Sequence, residues 1–234
     1  MAQFMHDPSL DSRSLPLGQT IIIKERDTKA YLDEMGIDVM SLESALEAGE
    51  QAAANTTSYA PKTGAGMRRW ITTVETARTL LSEEGWKPDD KANRPTAKSP
   101  DSRWTLAFVG GDEYVGNPDG NAVPKAARPK GPATAEAVGV QLSLDIPPQK
   151  SHLTGSSADH DMPPEGEWVF LYYRAEEEIR SEVSFPSGFD DGQFTGWRVR
   201  VLLPPIPLAD ATAVPDVGGG DVEFKVENAE FKAK

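Results

Sequence analysis

The chain contains no cysteine, and that one gap closes several routes together. Disulfide cross-links, thiolate nucleophiles and Cys-ligated zinc are all excluded. A secreted, disulfide-stapled organisation loses its support as well. Histidine is scarce, with three copies. Long apolar runs are missing too: the longest, in the Val201–Leu208 region, falls far short of the roughly 20 residues that span a bilayer. The first twenty residues carry Asp7, Asp11 and Arg13 and no apolar stretch, which predicts no secretory leader. The expectation is a soluble protein, most simply cytoplasmic.

Positive charge is also in short supply. Lys and Arg number 24 against 37 Asp and Glu, a formal net charge of −13. Such a field repels nucleic-acid phosphates and anionic lipid, so neither direct nucleic-acid binding nor membrane binding is expected. It favours basic protein partners or cations, and it also serves plain solubility.

What is present fits a folded protein. Of 234 residues, 38% are hydrophobic and 26% charged, ordinary for a globular chain. A chain of this size buries roughly 70% of its unfolded surface without a staple. Ile21, Ile22 and Ile23 predict a strand over Gln19–Lys24. Thr28–Met35 predicts a short helix closed by Gly36, and Ser41 is an N-cap candidate for a helix to Ala54. That second helix would carry Leu42, Ala45, Leu46, Ala52 and Ala53 as its apolar stripe. The clearest helix is Met67–Glu84: Met67, Trp70, Ile71, Val74, Ala77 and Leu81 recur at three- and four-residue spacing, and Gly85 ends it.

Lys87–Asp101, with Pro88, Pro95 and Pro100, reads as an exposed connection. Trp104–Val109 reads as a buried strand and Gly110–Pro132 as a long loop. Thr134–Val138 reads as a short helical turn, and Val140, Leu142, Leu144 and Ile146 as one face of a strand. Beyond a mobile loop at Pro147–Glu165, Trp168–Tyr173 and Glu178–Phe185 predict a hairpin, and Trp197–Leu203 a third strand. Pro204, Pro205, Pro207 and Gly218–Gly220 form a linker before a last strand at Val222, Phe224 and Val226. Helices first and antiparallel strands later give the α+β class, with N-terminal helices packed on a sheet drawn largely from the C-terminal half. A single domain over 1–234 is the simplest organisation. It can also be divided into a helix-rich part at 1–146 and a β part at 167–234, around the loop at 147–166.

Three clusters are candidates for chemistry. Gly64 and Gly66 precede Arg68 and Arg69 at the start of the strongest helix, where backbone N–H groups and two cations would receive an anion. The same arginines would otherwise pair with acids across the fold. In the Gly110–Pro132 loop, Asp112 and Glu113 follow a buried strand and would hold a metal such as Mg²⁺, while Lys125, Arg128 and Lys130 would clamp an anion. Asn117-Pro118-Asp119-Gly120-Asn121 does not make an EF-hand, because Arg128 stands where the final Glu would be. His152 and His160, near Asp159 and Asp161, match no zinc spacing, and His6 lies apart from them. The remaining candidates are acids edging the sheet. Glu176, Glu177, Glu178, Asp190 and Asp191 would either guard strand edges or face a basic protein. The tryptophans read as core packing.

No catalytic motif emerges: the P-loop Lys is missing after Gly66, and no Gly-x-Ser-x-Gly elbow occurs. The leading expectation is a non-catalytic accessory or structural protein that works through protein–protein contacts, as a subunit of a viral, defence or regulatory assembly. It needs no cofactor. One alternative is a small enzyme or ligand-binding domain for a phosphorylated or carboxylated molecule, with Arg68 and Asp112 converging and Mg²⁺ bound. A second is an acidic mimic of nucleic acid that blocks a DNA-binding protein.

Overall fold

A computed structural model describes residues 20–144 and 162–208, with the backbone alone at 142–144. His6, His152, His160, Asp159, Asp161, most of the Pro147–Glu165 loop, the Gly218–Gly220 run and the Val222–Val226 strand lie outside the described residues. Within them the chain is α+β. Four helices accompany an eight-stranded, mostly antiparallel sheet. The order along the chain is β1 (Ile21–Ile23), α1 (Glu25–Asp33), α2 (Val39–Ala54), α3 (Gly64–Glu83), β2 (Lys87–Asp89), β3 (Thr96–Lys98) and β4 (Trp104–Gly110). Then follow α4 (Pro132–Leu144), β5 (Gly166–Arg174), β6 (Glu178–Asp190), β7 (Gln193–Leu202) and β8 (Ile206–Pro207).

In space the strands run β1-β7-β6-β5-β4-β3-β2, with β8 against the start of β6. Two pairings are parallel, β1 with β7 and β4 with β5. The first of these ties the N-terminal strand to the last long one, and Thr28 Oγ1 donates to Leu202 O at 2.5 Å beside it.

Alternation along the strands gives the sheet two different faces. Trp168, Phe170, Phe185, Val199 and Val201 point to one side and meet α1, α2 and α3. The helices bring Leu32, Leu42, Leu46, Val74, Ala77 and Leu81 to this core. Burying a large apolar side chain contributes about 1.5–3 kcal/mol. Helix ends follow their sequence signals: Gly36 and Gly85 both adopt positive φ. Behind Gly85, the N–H of Trp86 reaches Leu81 O and that of Gly85 reaches Ser82 O, a closed C-terminal cap.

Several expectations need correcting. Asp38, not Ser41, stands at the N-cap of α2, and Ser41 Oγ leans back to the Asp38 carboxylate at 3.3 Å. α3 begins at Gly64, and its buried face is rotated: Gly66, Arg69, Thr73, Val74, Ala77 and Leu81 go inward, while Met67 and Ile71 face solvent. Lys87–Asp101 is not a bare connection, since β2 and β3 pair there and extend the sheet beyond β4. Pro88 is tolerated because β2 is an edge strand. Val140 and Leu142 lie on helix α4 rather than a strand. The Pro-Ala-Thr-Ala-Glu-Ala start favours a helix, and Thr134, Val138 and Gln141 bury at helical spacing while Val140 is 54% exposed. Finally, Ile206 and Pro207 belong to β8 instead of a linker.

Candidate functional site

Each nominated cluster sits in a distinct structural setting. The Gly64–Arg69 segment is the first turn of α3, where Gly64 N donates to Pro61 O at 2.7 Å and Met67 N to Thr63 O at 3.0 Å. Arg68 is exposed. Arg69 is 4% exposed and turns inward, its Nε 2.7 Å from Glu50 Oε2 on α2. The other oxygen of Glu50 takes Arg174 Nε at 3.1 Å, from the end of β5. One carboxylate therefore bridges two guanidiniums and ties the helical pair to the sheet. Burial alone would raise the Glu50 carboxyl, but Arg69 and then Arg174 outweigh it and hold it below its ordinary value. The α2–α3 crossing is tight here. A Cβ on Gly49 would run into Thr73 Oγ1 and come within 2.8 Å of Arg69 O.

The connection after β4 lies on the other face of the sheet. Asp112 Oδ1 accepts the backbone N–H groups of Tyr114 (3.2 Å) and Lys125 (3.1 Å). Burial raises its carboxyl above the ordinary value, against the pull of those two donors. It is thus an organiser of its own loop. Glu113 and Lys125 are exposed, Arg128 is half-buried, and Lys130 N donates to Gly192 O at the β6–β7 turn. Among the described residues no group of three or more His, Asp or Glu is placed to hold a metal ion, so Asp112 and Glu113 offer a cation two carboxylates at most.

Beneath this loop lies a feature the sequence did not announce. Glu182 on β6 and Arg200 on β7 form a bidentate pair at 3.0 and 2.6 Å, with both side chains fully buried. Every remaining valence points at the loop or the sheet. Glu182 accepts Gly116 N (2.8 Å) and Ser184 Oγ (2.7 Å), while Arg200 donates to Ala122 O (3.1 Å) and Tyr114 O (3.4 Å). Glu-x-Ser and Arg-x-Arg on strands gave no sign of this, because the partners are brought together only by the β6–β7 register.

The nominated acids separate into two groups. Glu176, Glu177 and Glu178 lie at the β5–β6 turn, and Asp190 and Asp191 at the β6–β7 turn, at opposite ends of β6. Tryptophan placement agrees with a packing role: Trp86, Trp104, Trp168 and Trp197 are buried and Trp70 is half-buried.

A groove of about 260 Å³ opens elsewhere, between α4 and the strands β3, β4 and β5. Thr96, Thr105 and Glu167 lie at its base, Ala133, Glu136, Ala137 and Val140 on the helix wall, and Lys91, Ala92 and Arg94 on the β2–β3 connection. Arg94 and Glu167 form an ion pair across β4, and Gln141 Oε1 accepts Glu167 N at 2.6 Å. Neither Arg68 nor Asp112 lines this groove. Its residues come from a segment that looked like a plain connection and from a helix that looked like a strand, which is why reading the sequence missed it. No family model, curated protein or solved structure matches the chain.

Proposed function

We propose that this chain is a non-catalytic accessory protein that acts through protein–protein contacts as one subunit of a larger assembly. The observation that carries this reading is the outward rotation of α3. Its apolar pattern is strong enough to predict burial of Met67 and Ile71, yet these are 36% and 48% exposed, and Tyr59 in the preceding connection is 97% exposed. Exposed apolar side chains that a helix does not need for its own packing are what a partner surface uses. Arg68 and Glu75 share the exposed side of α3 with Ile71. The net charge of −13 favours a partner whose contact is apolar at its centre and basic at its rim.

The catalytic alternative draws less support. Arg69 is spent on Glu50, and Asp112 on its own loop. The mimic of nucleic acid would gather its acids on one face, whereas Glu176–Glu178 and Asp190–Asp191 sit at opposite ends of β6. The deciding experiment is the native mass of the full chain purified from its source, wild type against Ile71→Glu with Met67→Glu. The expected result is a complex heavier than the monomer that the double variant loses while its thermal melt is unchanged. A wild type that remains a monomer without a partner, or a complex indifferent to both substitutions, overturns the reading.

A further inference from the structure

We propose that the groove between α4 and β3–β5 binds a small zwitterion of the free amino-acid class. This proposal is independent of the partner surface on α3. Its basis is a local charge balance that the rest of the molecule lacks. The whole chain carries −13, but the groove is lined by three cations, Lys91, Arg94 and Lys98, and three carboxylates, Asp89, Glu136 and Glu167. Four of the six satisfy each other: Arg94 pairs with Glu167 at the base, and Lys98 Nζ meets Asp89 Oδ2 at 2.8 Å. The two left over are Lys91 and Glu136, neither of which forms an ion pair among the described residues. They stand on opposite walls, one on the β2–β3 connection and one on α4.

An anion alone would satisfy Lys91 and meet Glu136 and the field of the whole protein as repulsion. A cation alone would leave Lys91 unmatched. A molecule with a carboxylate at one end and an ammonium at the other satisfies both walls. Ala133, Ala137 and the 54%-exposed Val140 line the helix wall beside Glu136 and offer apolar surface to a short side chain. The volume of about 260 Å³ is just under the roughly 300–1,000 Å³ common for ligand pockets, which fits a ligand of amino-acid size.

The backbone supplies a second, separate sign. Ala92 and Asn93, at the groove's edge, adopt φ of 56° and 57°. Asn tolerates this left-handed conformation, but for Ala it is strained, and such strain persists where the surrounding structure imposes it and gathers at ligand-binding positions. Here it sets the turn between Lys91 and Arg94, the free cation and the buried one.

The test is an amide chemical-shift titration of the full isotope-labelled chain with L-leucine, with 3-methylbutylamine, which lacks the carboxylate, and with 4-methylpentanoate, which lacks the ammonium. Leucine is expected to saturate shifts confined to residues 91–98 and 133–140. Each analogue should bind at least about tenfold more weakly, as should leucine to Lys91→Ala and to Glu136→Ala. Both substitutions are at exposed positions, and an unchanged thermal melt shows that the variants are folded. The proposal is overturned by an absence of shifts up to about 10 mM leucine, by analogues that bind as well as leucine, or by variants that retain its affinity.

Discussion

On one face of the sheet Trp168, Phe170, Phe185, Val199 and Val201 meet three helices through apolar side chains. On the other, a long connection without regular structure is fixed by a buried Glu182–Arg200 pair. The difference follows from what each covering element brings. A helix satisfies its own backbone hydrogen bonds and offers an apolar stripe. The 111–131 connection brings carbonyls and N–H groups that need partners once water is excluded. Arg200 and Glu182 answer that need, taking Ala122 O, Tyr114 O and Gly116 N as they pair with each other. A small apolar cluster of Val115, Ala126, Phe194 and Trp197 completes the cover.

The sharpest way to break this comparison is to remove one chemistry from each face. Phe170→Ala should destabilise the chain by about 3–5 kcal/mol through a cavity that no second substitution nearby easily refills. Glu182→Ala should lose a similar amount, about 3–5 kcal/mol, because Arg200 is then buried without its counter-charge. The two losses differ in how they are repaired. Replacing both members, Glu182→Leu with Arg200→Met, should recover most of the stability in denaturant titration while leaving the 114–122 backbone without its donors and acceptor. Faster amide exchange in that loop would accompany the recovery. A double variant no more stable than Glu182→Ala would mean that the pair is not a replaceable strut.

A smaller effect is expected where the helices themselves touch. Gly49→Ala should destabilise by about 1–3 kcal/mol, because the new methyl meets Arg69 O, a backbone atom that cannot swing aside. Pairing it with Thr73→Ala should relieve only the side-chain half of the clash. Full recovery in that double variant would show that the helices can separate more freely than their contact implies.

The two faces were not equally legible in the sequence. Helical periodicity disclosed α2 and α3 and most of their buried residues, and alternation disclosed β5, β6 and β7, since these elements meet their neighbours through repeating side chains. Periodicity misplaced Met67 and Ile71 because the α2–α3 crossing selects Gly66, Arg69 and Thr73 instead, and a pattern of apolar residues gives no weight to a glycine or an arginine as a buried position. Alternation misread α4, where Val140 and Leu142 fall two apart by composition while Thr134, Val138 and Gln141 do the packing. The groove was hidden for the same reason. Two of its walls depend on β2–β3 pairing and on α4, and the pairings Arg94–Glu167 and Glu182–Arg200 exist only after strands far apart in sequence come into register.

Between the extremes of the two faces stands the bridge of Arg69, Glu50 and Arg174, an ionic tie on the helical side of the molecule. Its pH dependence has a definite sign. Glu50 ionises below its ordinary value of 4.5 in the folded chain, because the two guanidiniums outweigh its burial. A depressed carboxyl contributes stability that is present above the unfolded value and is lost as pH falls through the folded one. The melting temperature of wild type should therefore exceed that of Glu50→Gln by a constant margin from neutral pH down to about pH 5.5, and the margin should shrink below about pH 4.5. Protonated Glu50 then resembles the neutral amide, and both leave Arg69 and Arg174 without a counter-ion. If the margin stayed level down to about pH 3, the contact would stabilise through shape and hydrogen bonding alone, and the ionic contrast between the helical and loop-covered faces would be stronger than drawn above.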